Sequence, residues 1–191
     1  MSLQDVPVRV TFLTTPATRE QRAGIFAEDE PLGEDALVRL DAVGWKKTTG
    51  TRVWSSPERR AVDCARRLGL EAEVAAELRE CDFGRWRGRG LKEVLGEDAD
   101  GLGRWLGDVT AAPHGGESFA ELAVRVGWWM EELSETAVVV THASVVRAAV
   151  AHALSAPVEA SLRIEVGPLT KTELVWHRGQ WRLRFVGAGL E

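Results

Sequence analysis

Residues 137–150 read AVVVTHASVVRAAV, and the change of period inside this stretch sets the fold class. Ala137, Val138, Val139 and Val140 form a short apolar, β-branched run of the kind found in strands buried on both faces. Thr141, His142, Ala143 and Ser144 interrupt it with small and polar groups. From Val145 the spacing becomes helical, with Val146, Ala149, Val150 and Ala153 on one face. His142 is thereby predicted at the hand-over from a buried strand to a helix. In open α/β sheets that position borders the ligand crevice, where the next helix turns its free N–H groups towards an anion. A structural histidine in a turn is the plainer alternative on this local pattern.

Outward from that stretch, the pattern alternates strands with helices. Residues 8–13 read as a first strand, which Thr14, Thr15 and Pro16 end, because proline cannot join a central ladder. Residues 19–26 form a short helix or loop. Residues 34–43 predict a helix with Leu37, Leu40 and Val43 inward and Gly44 as its stop. A second strand spans 51–55. Ser56, Pro57 and Glu58 then predict a helix start, with Ser56 as N-cap and Pro57 in the first helical position. A short third strand falls at 71–75. Residues 77–90, ELRECDFGRWRGRG, predict a charged, glycine-punctuated loop over a site. Short helical pieces follow at 91–95 and 102–106. Ser118 and Glu121 form a capping box that opens an apolar-striped helix to about Leu133. Residues 172–176 and 181–185 flank His177-Arg178-Gly179-Gln180 as a β-hairpin. With no internal repeat or linker, residues 1–191 are expected to form one domain, a sheet covered by helices on both faces.

Composition narrows the function. A length of 191 residues accommodates one α/β domain with a sizeable core. The 24 basic against 29 acidic residues give a net charge of −5, which argues against general nucleic-acid binding. Two cysteines in unlike contexts, Cys64 and Cys81, suggest a reduced cytoplasmic chain without a disulfide framework. Residues 1–10 lack the pattern of a signal peptide, and no apolar run is long enough to span a membrane. No metal-ligand spacing, Walker loop or dinucleotide fingerprint occurs, so no metal or cofactor is expected.

Five stretches then occur in a telling order: VTFLTTPAT at 10–18, SSPERRA at 55–61, LRECDFGRWRG at 78–88, PHGGESFAELAVRV at 113–126 and VVVTHAS at 138–144. Together they resemble the histidine phosphatase superfamily, and within it the small bacterial phosphatases similar to α-ribazole phosphatase. The resemblance implies the phosphoglycerate mutase-like fold, a three-layer α/β/α sandwich with a mostly parallel central sheet. It also implies a variable lid at about 79–116 and a phosphorylated or otherwise anionic small molecule as ligand. In that family the first strand ends in Arg-His-Gly, whose histidine attacks phosphorus. Here those positions are Thr14, Thr15 and Pro16. Thr14 brings no charge to phosphate. Thr15, in the nucleophile position, carries a hydroxyl that attacks poorly near neutral pH without an adjacent base. Pro16 has no N–H to offer.

Other positions match. Arg60, with Arg59 as the alternative of poorer spacing, aligns with the family's second phosphate-binding arginine, whose fork suits phosphate. Glu80 aligns with its general acid, and His142 with the histidine that stabilises the transferring phosphoryl group. His114, before Gly115 and Gly116, could reach the pocket and bind phosphate. Arg19, Arg22 and the Arg85, Arg87 and Arg89 loop are candidates to replace the missing charge. Three readings follow. The first is a binder of a phosphate monoester or similar anion, catalytically impaired at Thr15. The second is a working phosphomonoesterase using His142, His114 or a water held by Glu80. The third is a partner-binding or regulatory subunit with Trp105, Trp128 and Trp129 as anchors, a homodimer included.

Overall fold

The computed structural model describes residues 6–45 and 51–190. The first five residues of the stretch 1–10, on which the expectation of no signal peptide rests, lie outside that range. Six strands form one sheet: β1 (Val8–Thr14), β2 (Arg52–Ser55), β3 (Glu73–Val74), β4 (Ala137–Thr141), β5 (Thr170–His177) and β6 (Gln180–Gly189). Their order is β3-β2-β4-β1-β5-β6. β3, β2, β4 and β1 are mutually parallel, whereas β1–β5 and β5–β6 are antiparallel, so the sheet is mixed.

β4 is buried along its whole length because strands flank it on both sides and helices cover both faces. Its side chains alternate as a pleated strand requires. Val139 packs with Val10 and Phe12 against α6 (Phe119–Glu131) and α7 (Ala143–Ala153). Val138 and Val140 pack with Leu13 and Val53 against α2 (Glu34–Asp41) and α3 (Arg59–Arg67). Two cores on one sheet make the three layers. The remaining helices are short: α1 (Arg19–Arg22), α4 (Leu91–Glu97) and α5 (Ala99–Gly107). No helix among the described residues is long and apolar enough to cross a membrane.

The capping box of α6 forms as predicted: the Ser118 hydroxyl accepts from the Glu121 N–H at 3.2 Å, and the Glu121 carboxylate accepts from the Ser118 N–H at 2.8 Å. The hairpin forms too. Arg178 and Gly179, at φ 55° and 78°, make the two-residue turn whose twist suits adjacent strands. Several helix ends differ from expectation, α5 for one starting at Ala99 rather than at residue 102. α2 stops at Asp41, with Ala36 and Leu40 as its buried residues, rather than running to Val43. Ser56 does not cap α3, which starts at Arg59 with Glu58 in the N-cap position. The Ser56 N–H still bonds to Val140 of the ladder at 2.9 Å. Its hydroxyl is drawn to the Leu78 carbonyl at 2.5 Å and the Thr141 hydroxyl at 2.8 Å. Tertiary partners thus outbid the local cap.

Candidate active site at the carboxyl ends of β1 and β4

Thr14 stands opposite Thr141 in the parallel ladder, and the Thr15 N–H donates to the Thr141 carbonyl at 3.1 Å. The register therefore sets Thr15 beside His142, the N-cap of α7. A cleft of about 580 Å³ opens there, bordered by Thr15, Glu80, His142 and Ser144, with Phe83, Trp105 and Phe119 on its apolar side.

His142, Glu80 and Arg60 lie close together. His142 Nε2 lies 2.9 Å from Glu58 Oε2, and its Nδ1 lies 3.9 Å from Glu80 Oε2. The Arg60 guanidinium donates to Glu80 Oε2 and to the Glu28 carbonyl, both at 3.4 Å, and sits 3.6 Å from Glu30 Oε1. Arg60 is completely buried and does not line the cleft. It meets the cleft only through Glu80. The Ser144 hydroxyl donates to Glu80 Oε1, as does the Cys81 N–H at 3.0 Å. Burial pushes the Glu80 carboxyl up, but attraction to His142 and Arg60 and these hydrogen bonds outweigh it, holding it below the usual glutamate range. Glu58 behaves alike: burial raises it, and its bond to His142 and two backbone N–H groups lower it further. Both are carboxylates at neutral pH in the unliganded site.

The other candidates lie differently. The Thr14 hydroxyl donates to the Gly167 carbonyl at 2.8 Å and accepts from the Thr170 N–H at 2.9 Å, tying β1 to the start of β5. The Thr15 hydroxyl makes no hydrogen bond among the described residues. His114 does not line the cleft. It is buried in an aromatic cage, its ring centroid 4.8 Å from Trp86 and 5.9 Å from Trp105. Its Nδ1 accepts from the Gly116 N–H at 3.0 Å, and burial lowers its pKa, so it is neutral at pH 7. The cage is fixed by two backbones in direct contact. A Cβ on Gly84, at φ 46°, would strike the His114 carbonyl, and one on Gly116 would strike the Asp82 carbonyl.

The arginines offered as replacements are engaged or remote. Arg22 borders the cleft but pairs with Asp35 and donates to the Ala17 carbonyl at 2.8 Å. Arg85 pairs with Asp98, Arg87 with Asp82, and Arg89 with Glu93 and Glu97. Arg19 is exposed and outside the cleft. Sequence reading missed Glu58, Ser144 and Arg147. Glu58 looked like a first-turn acid of α3. Ser144 and Arg147 fall three apart on α7 after His142, a spacing that places both on one face. Both cysteines are free and buried, and burial pushes the Cys64 thiol up to about 12, so neither offers a thiolate. Among the described residues no cluster suits a metal ion. Of the tryptophans named as anchors, Trp128 is exposed, whereas Trp105 and Trp129 are buried.

The histidine phosphatase superfamily (branch 1) model matches residues 16–188. The chain is 39% identical over 100 residues to glucosyl-3-phosphoglycerate phosphatase of Mycobacterium tuberculosis, covering 47% of this chain and 44% of that protein. It is 31% identical over 103 residues to adenosylcobalamin/alpha-ribazole phosphatase of Escherichia coli, covering 51% of each. The chain spans between 28% and 51% of the length of the curated relatives it matches. The structure of the mycobacterial glucosyl-3-phosphoglycerate phosphatase complexed with VO3 superposes with a TM-score of 0.83 at 29% identity, covering 95% of this chain and all of that one. By the extent of the family match, the order of its strands and the grouping at the ends of β1 and β4, this chain belongs to the histidine phosphatase superfamily.

Proposed function

We propose that the chain binds a phosphate monoester, or a similar anionic small molecule, in the cleft at the ends of β1 and β4 and turns it over poorly. The observation that carries this reading is the Thr15 hydroxyl, which faces the cleft beside His142 with no base bonded to it. His142 then stabilises charge on the bound phosphoryl group, and Glu80 is positioned at the leaving oxygen. Arg60 acts from behind, holding Glu80. An arriving dianion repels the Glu80 carboxylate and raises its pKa, so ligand binding is accompanied by proton uptake. Residues 79–116, which bring Glu80, Phe83 and Trp105 to the cleft, serve as its cover.

A working phosphatase with another nucleophile is the second reading, and the geometry narrows it. His142 Nε2 is engaged by Glu58 and its Nδ1 is buried, while His114 lies outside the cleft. A water held by Glu80 remains as the attacking group. One experiment separates the two: hydrolysis of a phosphomonoester panel, with thermal shifts in inorganic phosphate and orthovanadate. The proposal expects stabilisation by these anions with turnover at least about a thousandfold below that of superfamily phosphatases, on the scale of a lost catalytic group. Turnover equal to theirs, or no shift with any anion, overturns it.

A further inference from the structure

We propose that Arg147 is the guanidinium that grips the ligand's anionic group, taking over the role vacated at position 14; the proposal rests on the anion-binding reading above. The argument begins with elimination. Among the described residues two arginines border the cleft, Arg22 and Arg147. Arg22 is committed to Asp35 and the Ala17 carbonyl. Arg147 makes no ion pair and no hydrogen bond among the described residues, and its Nε is buried without a partner. The two terminal nitrogens of its guanidinium are not sealed off in this way and are unpaired among the described residues, so they are the donors that a ligand oxygen in the cleft can meet.

Position on the helix supports the same conclusion. Ser144 and Arg147 are three residues apart in α7, hence on one face, and Ser144 already bonds to Glu80 within the site. Long side chains on a helix lean back over the preceding turn, so the Arg147 stem points towards the helix start at His142. The same first turn presents unbonded backbone N–H groups to that end of the cleft. Charge completes the case. Glu80 is a carboxylate at the cleft and Arg60 is sealed behind it, so a free cation bordering the cleft offsets the repulsion that an incoming anion meets from Glu80. Arg147 is that cation. Its planar fork takes two oxygens of a phosphoryl or phosphonyl group, and the apolar wall of Phe83, Trp105 and Phe119 suits an aromatic or aliphatic body on the same ligand.

The test uses phenylphosphonate, which cannot be hydrolysed as an ester, with inorganic phosphate beside it, each titrated calorimetrically at low salt into the full chain. Wild type, Arg147→Met, Arg147→Lys and Arg22→Met are compared, with circular dichroism to verify folding. Arg147→Met is expected to weaken phenylphosphonate at least tenfold, Arg147→Lys to recover part of that loss, and Arg22→Met to change Kd less than threefold. A wild-type orthovanadate complex should show the Arg147 guanidinium within about 3.2 Å of an oxygen. Tight binding by wild type and equally tight binding by both Arg147 variants overturns this proposal and leaves the anion-binding reading standing. Loss of binding in Arg22→Met alone also overturns it, assigning the grip to Arg22. No binding by wild type overturns the anion-binding reading, and this proposal with it.

Discussion

β1 and β4 lie side by side, parallel and in register, and end at the same level of the sheet, yet they end in opposite ways. β4 delivers His142 into a set of charged partners, with Glu58 at 2.9 Å and Glu80 at 3.9 Å. β1 delivers two hydroxyls and a proline. One hydroxyl, on Thr14, ties the strand to Gly167 and Thr170, and the other, on Thr15, faces the cleft unbonded. The backbone of β1 keeps its place because Val10, Phe12 and Leu13 hold it by burial, all fully buried and none of them part of the site. Packing therefore preserves the geometry of a strand end independently of the chemistry presented there.

The comparison is broken most forcefully behind β4. Removing the guanidinium with Arg60→Met leaves Glu80 and Glu30 without their buried cation, and breaking such a pair costs about 3–5 kcal/mol. Urea denaturation should register that loss as a lower midpoint. A midpoint within experimental error of wild type would mean the ion cluster carries no stability. The comparison is next broken in β1. Thr14→Arg with Thr15→His and Pro16→Gly introduces the Arg-His-Gly that the family resemblance implies at these positions, beside His142 and Glu80. One charged hydrogen bond is worth about 1.5–3 kcal/mol, so a rise in phosphomonoester hydrolysis of about a hundredfold is expected. A folded triple variant with no gain would show that the site behind the motif has also changed.

Acid titration sharpens the contrast further. Glu58 and Glu80 are held below the ordinary glutamate value of about 4.3, so their contribution is fully present above that value. It is lost as pH falls through the lower folded-state values, because the unfolded chain takes up protons first. Asp35, Asp41 and Glu73 are lowered too, but they are exposed and their pairs are screened by salt. Stability measured between pH 5 and 3 in 0.5 M salt, a value chosen to shorten the screening length to about 4 Å, should therefore fall less steeply in Glu58→Gln than in wild type. Equal slopes would remove Glu58 from the cluster's energetics.

How much of this was legible before the structure depends on whether the signal was local. The β4–α7 hand-over was legible because a run of valines and a helical period are properties of adjacent residues. The grouping of Arg60, Glu80 and His142 was implied only by the family resemblance that the motifs carry. Glu58 was not legible as the partner of His142, since 84 residues separate them and its own neighbours mark it as a helix-start acid. Ser56 failed as an N-cap for the same reason, its hydroxyl being taken by Leu78 and Thr141 across the sheet. His114 was expected at the pocket because its loop precedes α6. The crossing of Gly84 and Gly116 sets the direction of that loop, and turns the imidazole into the cage of Trp86 and Trp105 instead. Arg147 stood five residues past His142, unremarked, because a helix pattern gives no sign of which cations lack a partner.

The smallest effects probe the two threonines directly. Thr14→Val keeps the shape of the side chain and removes its bonds to Gly167 and Thr170, leaving the Thr170 N–H without its acceptor, and should cost about 1–2 kcal/mol in urea denaturation. Thr15→Val removes a hydroxyl that bonds to nothing among the described residues, so stability should stay within about 0.5 kcal/mol of wild type. The pair also separates structure from chemistry. If Thr15 is an attacking group after all, Thr15→Val abolishes whatever phosphomonoester turnover the chain has. If a water attacks instead, that turnover survives Thr15→Val, and Glu80→Gln lowers it by removing the group placed at the leaving oxygen. The expected result is the second, because a hydroxyl without a bonded base gains nothing from its position.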